Sequence, residues 1–222
     1  MRVDLGRDRG GRRRGAKLAA AVVVLCASCT STSQVRLEKG LSFDAFRNLG
    51  PIDRAHATLA VVIPEELRVA TVDRKLSSVQ YHIDVGDTLA SKLMQLLAYK
   101  FDRVVLLEDE KAEPPIPWDL LMRVELKEID LSLEREIGWN TYTMLSSGFI
   151  GLEAKIVNRE RQLVWAGSSK AEGKGEAAGG AYEVPDIQGG LSQAIDIAIA
   201  DIAHQLGRSE ALKAAIGEVG AP

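Results

Sequence analysis

Leu120-Leu121-Met122-Arg123-Val124-Glu125-Leu126-Lys127-Glu128-Ile129-Asp130-Leu131-Ser132-Leu133 is the stretch from which the fold can be read. Leu120, Met122, Val124 and Leu126 alternate with Leu121, Arg123, Glu125 and Lys127, the period of two that puts one face of a strand in a core and the other in water. After Glu128 the apolar phase slips to Ile129, Leu131 and Leu133. A strand cannot change phase without an extra residue or a twist, so a β-bulge or sharp bend is expected near Glu128 and Ile129, with the sheet coiling there.

The same alternation returns downstream, with Ile150, Leu152, Ala154 and Ile156 predicted inward and Glu153 and Lys155 outward. It runs through the polar turn Asn158-Arg159-Glu160-Arg161 into Leu163 to Ala166, which reads as a hairpin. Gly173-Lys174-Gly175-Glu176-Ala177-Ala178-Gly179-Gly180 then looks too glycine-rich for regular structure. The final segment places Leu191, Ile195, Ala198, Ile202 and Leu206 on one helical face with Ile199 beside them. Gly207 ends that helix, and Ser209 can cap a shorter one over Glu210 to Ile216.

Upstream, Thr58-Leu59-Ala60-Val61-Val62-Ile63 is a β-branched run stopped by Pro64, and Leu67 to Val72 is a second extended piece. Asp84-Val85-Gly86-Asp87 supplies a turn and a cap for a helix carrying Leu89, Leu93, Leu96, Leu97 and Phe101. Val104 to Leu107 follows as a buried strand, and Glu108 to Pro117 as an exposed loop. Antiparallel strands in a run with helices kept apart from them predict an α+β fold. It is a two-layer sandwich in which two main helices pack on one face of a mostly antiparallel sheet.

The chain opens differently. Arg2, Arg7, Arg9, Arg12, Arg13, Arg14 and Lys17 against Asp4 and Asp8 give the head a charge of +5 directly before the apolar run Leu18 to Ala27. That is the pattern of an export signal, and ten residues fall short of the roughly 20 needed to span a bilayer as a helix. Leu25-Cys26-Ala27-Ser28-Cys29 resembles the lipobox of bacterial lipoproteins. The resemblance implies cleavage before Cys29 by the type II signal peptidase and attachment of diacylglycerol to its thiol. The family has Leu three residues before the cysteine; here Cys26 holds that place and Leu25 lies one step earlier. Lipidation at Cys26 would put bulky Leu25 at the cleavage position, so Cys29 is the expected site. The alternative is an ordinary secretory signal with two incidental cysteines. Thr30 after Cys29, rather than Asp, resembles lipoproteins sorted to the outer membrane.

Three regions follow: a signal peptide over 1–28, a lipidated N-terminus and flexible tether over 29–57 with a short helical turn at Phe43 to Arg47, and one α+β domain over 58–222. Anchoring at a membrane takes two or more acyl chains, each buried methylene adding about 0.8 kcal/mol. The whole chain carries −3, so the part beyond the head carries −8. That acidity argues against nucleic acid as a partner, since phosphate contacts need clustered Lys and Arg. With Cys26 removed and Cys29 acylated, no disulfide remains and a core must supply stability. The order of elements together with the lipobox resembles small envelope accessory lipoproteins such as the lipopolysaccharide-assembly lipoproteins of the LptE family. The hairpin Ile156 to Gly167, with its Trp-small-Gly end, also looks like one found in several uncharacterised bacterial lipoproteins.

The sequence holds little that resembles catalytic machinery. His56, His82 and His204 are scattered without a paired His or Cys at metal-ligand spacing, so no metal site is expected. Gly173-Lys174 lacks the glycine spacing and the Ser or Thr of a phosphate loop, and no nucleotide or other cofactor is implied. Ser146-Ser147-Gly148 lacks the glycine two residues before a nucleophilic serine. Glu125, Asp130 and Glu134 read as a solvated sheet face. Trp165 reads as packing, whereas Trp139 in a loop between long strands, and Tyr182, are the candidate partner contacts. The expected function is a non-enzymatic binding or assembly subunit anchored in the envelope, facing the periplasm. It docks a protein partner or an envelope lipid or glycan through the helix-free sheet face, the 138–148 loop or the glycine-rich loop. The alternatives are an envelope hydrolase with acids gathered around Asp109, Glu113 and Asp119, or a purely structural lipoprotein.

Overall fold

The computed structural model describes residues 31–49, 54–107, 109, 116–138, 141–180 and 187–219. Its frame is set by three strands of 18 residues each, β6 (Leu120–Ile137), β7 (Thr141–Asn158) and β8 (Leu163–Gly180), paired antiparallel in that order. The expected phase slip is real. The register of β6 on β7 shifts between Leu126 and Glu128, so Lys127 is the extra residue and both Lys127 and Glu128 face water. Leu120, Met122 and Val124 are buried before the bulge and Leu131 after it, with Leu126, Ile129 and Leu133 packed against the same core. Lys127 bridges Glu125 at 2.7 Å and Glu153 at 3.1 Å. Its hydrogen bond holds the Glu125 carboxyl below the ordinary value, and the same bonds raise the Lys127 ammonium above its own.

The β7–β8 turn closes through the Asn158 and Gln162 side chains, Nδ2 to Oε1 at 3.0 Å, with Arg161 in the left-handed region at φ 62°. β2 (Ala55–Val62) lies beside β6 and β5 (Phe101–Leu107) beside β2, both pairings parallel, giving the order β5-β2-β6-β7-β8. A second, three-stranded sheet has the order β1-β4-β3, where β1 is Ser31–Arg36, β3 is Thr71–Leu76 and β4 is Val79–Asp84. β4 pairs antiparallel with β3 and parallel with β1. This sheet meets the far half of β6 through Arg74, which reaches Asp130 and the Leu131 carbonyl.

Five helices lie among the described residues: α1 (Phe43–Asn48), α2 (Glu65–Arg68), α3 (Gly86–Lys100), α4 (Gly189–Arg208) and α5 (Glu210–Val219). Leu89, Leu93, Leu96 and Leu97 of α3 and Leu191, Ile195, Ala198, Ile199, Ile202 and Leu206 of α4 are buried in the main core with Leu59, Met122, Ile150, Leu152 and Ile156 of the sheet. Each such aliphatic side chain contributes roughly 1.5–3 kcal/mol when fully buried, so this layer dominates the fold's stability.

Four expectations change. The two-layer sandwich becomes a mixed α/β fold with two sheets. The segment from β2 to β5 includes the β3–β4 hairpin and the two helices α2 and α3, and this excursion returns β5 parallel to β2. The stretch Leu67 to Val72 divides into α2 and the start of β3 rather than one strand. Residues 31–49, expected within the tether with a short helical turn at Phe43 to Arg47, form β1 and α1; the turn lies where it is expected and the strand is not expected, with Leu37, Ala45 and Leu49 buried. β1 adds to the edge of β4, and Ser42 caps α1 by accepting from the Ala45 N–H at 3.1 Å. Finally, the glycine-rich residues 173–180 continue strand β8, for a reason found in its neighbour α4.

Candidate functional site

The N-terminus of α4 crosses β7 and β8 so closely that no side chain fits between them. A Cβ on Gly148 would lie 2.4 Å from the Leu191 Cα, one on Gly173 2.3 Å from the Gly190 carbonyl oxygen, and one on Gly190 2.5 Å from the Ser146 carbonyl oxygen. Glycine on both sides is the condition for this approach. Buried Ser146 stitches the crossing: its Oγ accepts from the Gly190 N–H at 3.0 Å and donates to the Gly175 carbonyl at 3.3 Å. The Ser146-Ser147-Gly148 run is therefore structural.

Midway along α4, the Asp196 carboxylate meets Lys92 of α3 at 2.7 Å, with side chains only 9% and 1% exposed. Ser192 Oγ lies 3.4 Å from the same ammonium. Further on, the Trp165 ring covers Gly167, and Gln205 Nε2 donates to the Ser168 carbonyl at 2.8 Å. Gln193 Oε1 accepts from the Lys174 N–H at 2.7 Å. These two glutamines take main-chain groups of β8, the outermost strand of its sheet.

The C-terminus of α4 opens onto a cavity of about 640 Å³. Leu49, Phe101, Leu206, Leu212 and Ile216 supply apolar walls, drawn from the end of α1, the start of β5, α4 and α5. Arg54, His56, Lys100, His204, Arg208 and Lys213 also line it, and no Asp or Glu does among the described residues. Arg54 donates to the Phe101 carbonyl at 3.4 Å and meets Asp102 at 3.3 Å, while His56 Nδ1 lies 2.8 Å from Asp102. Lys213 pairs with Glu210 one turn earlier on α5 at 2.8 Å.

The site residues expected from sequence fare unequally. Cys29, Trp139, Tyr182 and Glu113 lie outside the described residues. Asp109 is exposed. Asp119 serves the fold: its carboxylate accepts from the Thr58 N–H at 2.8 Å and from Arg159 at 2.6 Å, tying β2 to the β7–β8 turn. His82 pairs with Asp73 at 2.8 Å across β3 and β4. His204 lines the cavity and His56 stands at its rim, so two of the three scattered histidines come to one place. Among the described residues no three His, Cys, Asp or Glu side chains group as metal ligands. Trp165 is buried, as expected. The sequence reading missed the cavity and the ion pair. For the pair a signal existed: Lys92 stands three residues after Leu89 and four before Leu96, on the apolar stripe itself.

No protein-family model matches the sequence, and no curated protein matches it. Solved structures do. A neuraminyllactose-binding hemagglutinin homologue from Helicobacter pylori aligns at 14% identity with a TM-score of 0.43, over 77% of this chain and 97% of that one. A minor lipoprotein from Acinetobacter baumannii aligns at 15% identity and TM-score 0.30, over 74% and 96%. A hypothetical protein from Chlamydia trachomatis aligns at 13% identity and TM-score 0.34, over 76% and 100%.

Proposed function

We propose that this chain is a lipid-anchored bacterial envelope protein, held at the outer membrane through Cys29, whose body is a non-enzymatic binding subunit with the cavity at the end of α4 as its ligand site. The observation that carries the binding role is that cavity: its volume falls in the roughly 300–1,000 Å³ range of small-molecule sites, and its walls are apolar with convergent polar groups at the rim. The anchoring role rests on Leu25 to Cys29. No helix among the described residues is long and apolar enough to cross a membrane. Asp119, engaged by Thr58 and Arg159, supports a binding role over a carboxylate hydrolase. Trp139 and Tyr182 are proposed contacts for a protein partner.

Two measurements test this. Cys29→Ser should move the protein out of the membrane pellet and block cleavage before residue 29; a variant still pelleted and cut at the same bond would refute the anchor. A photoreactive side chain at His204 should give an adduct in envelope membranes that the same group at exposed Glu172 does not. Equal labelling at both positions would refute the cavity as the ligand site.

A further inference from the structure

With Cys29 as the acylated residue, the reading on which this inference rests, the length of chain between anchor and body decides how the body meets the membrane. β1 begins at Ser31, so Thr30 alone stands between the acylated cysteine and the first strand. Two residues of fully extended chain reach about 7 Å at most. The diacylglycerol is joined to the cysteine sulfur itself, and a head-group layer is roughly 5–8 Å deep. Ser31 therefore lies in that layer or directly against it.

β1 does not lengthen this reach by peeling away. It pairs with β4 from Ser31–Val79 to Arg36–Asp84, the Ser31 N–H donates to the Ser78 carbonyl at 3.2 Å, and Leu37 just beyond is buried. Releasing the strand would forfeit those hydrogen bonds and expose Leu37. Because β1 and β4 run parallel and β3 antiparallel to them, the first rung of the sheet is Ser31, Val79 and Leu76, closed by the turn Ser77–Ser78. Neighbouring strands lie about 4.8 Å apart, so the turn stands within roughly 10 Å of Ser31. Arg36, Asp84 and Thr71 form the opposite end of the sheet. Five residues of strand put that end roughly 17 Å away.

The near end has the chemistry for such a neighbour. Its first three rungs and the turn present Ser31, Thr32, Lys75, Ser77, Ser78 and Gln80 and contain no Asp or Glu, although the chain beyond residue 28 carries −8. The first carboxylate on these strands, Asp73, is on the fourth rung and pairs with His82, and Asp130 of β6 is paired with Arg74. A phosphate-bearing lipid surface repels carboxylates and accepts hydrogen bonds from hydroxyl, amide and ammonium groups. We infer that this end of the three-stranded sheet, Ser31 with the Ser77–Ser78 turn, is a membrane-contact surface held in the lipid head-group layer, and that the two-residue link to the anchor orients the body.

The test uses lipidated Ser78→Cys and Thr71→Cys, both at exposed positions, each carrying a thiol-linked fluorophore in phosphatidylcholine vesicles with a nitroxide on a fraction of the lipid heads. With Cys26 removed and Cys29 acylated, no other thiol takes the label. Nitroxide quenching is short-ranged, so a separation of roughly 17 Å should leave the Ser78 label quenched at least about threefold more than the Thr71 label. Equal quenching, or stronger quenching at Thr71, would overturn the proposed orientation. Inserting about 20 Gly and Ser residues between Thr30 and Ser31 gives a flexible link of roughly 25 Å. Quenching at Ser78 should then fall to the Thr71 level while the chain stays on the vesicles, and undiminished quenching would refute the short link as what orients the body. Unfolding midpoints equal to that of the natural chain certify that the variants are folded. Mass spectrometry separates this from the anchor: a chain without the diacylglyceryl mass on Cys29 refutes anchor and orientation together, whereas an acylated chain with evenly quenched labels refutes the orientation and leaves the anchor standing.

Discussion

Breaking the Lys92–Asp196 pair should be among the most damaging single changes available in this protein. Both side chains are nearly free of water, and Nζ and Oδ1 are 2.7 Å apart. In Lys92→Met a similar volume remains but the buried Asp196 carboxylate loses the ammonium that offsets its burial. A buried ion left without its partner costs about 3–5 kcal/mol, because its desolvation is no longer offset. For a chain of this size that corresponds to a fall in Tm of roughly 6–20 °C. Asp196→Leu should cost a comparable amount by stranding the ammonium. The double variant Lys92→Met/Asp196→Leu removes both charges, and should be neutral or more stable than the natural protein by about 1–4 kcal/mol. Urea unfolding followed by far-ultraviolet circular dichroism would give all four corners of the cycle, with an unchanged m-value certifying a common unfolded state. A Lys92→Met loss below about 1 kcal/mol, the size of a surface pair, would refute the reasoning that the pair is desolvated between α3 and α4.

Three further outcomes are expected. Gly148→Ala and Gly190→Ala should each destabilise by about 1–3 kcal/mol through overpacking at the α4 crossing, whereas Gly217→Ala, whose Cβ meets nothing within 4 Å, should gain up to about 1 kcal/mol of helix propensity; thermal melts compare the three. Burial raises the Tyr81 phenol above its ordinary value of 10.0, aided by Tyr142 and opposed by Arg135. A raised pKa means that the folded state holds this proton more tightly, so its contribution is complete below pH 10 and lost as pH climbs through the folded value. Stability measured from pH 8 to 11.5 should therefore fall more steeply for the natural chain than for Tyr81→Phe, and parallel curves would contradict the assignment. Gln193→Ala with Gln205→Ala should uncover main-chain groups of β8 and promote self-association, read as a concentration-dependent sedimentation coefficient.

Local periodicity carries the parts of the fold that are legible in the sequence. The slip after Glu128 is visible because a period of two admits no silent insertion, and the bulge at Lys127 lies within a residue of where the pattern places it. The α3 and α4 stripes were legible for the same reason. The glycine-rich run misled because glycine is a poor strand former in isolation, while here it answers a helix 15 residues further on. Its spacing held the clue: Gly167, Gly173 and Gly175 share parity with Trp165, Ser169 and Ala171, the face turned to α4. Ser31 to Arg36 carries no strand signal beyond Val35 because its partner, β4, supplies the hydrogen bonds. The cavity was illegible throughout, since its lining is drawn from positions 49 to 217 and each cation taken alone reads as an ordinary surface charge.

The placement of these features along α4 bears on how the cavity could adapt. Its N-terminus is locked by glycine contacts and Ser146, its middle by the ion pair to α3, and its later turns by Gln205 on β8. The wall formed by Ala203 to Arg208 is therefore rigid with respect to both sheet and α3. The opposite wall is α5, in which Leu212 is the one residue of those described that is fully buried, while Lys213 and Ile216 keep solvent contact. Few buried apolar contacts mean a low local free energy of opening, so any adjustment of the cavity would come from α5 shifting against the better anchored α4.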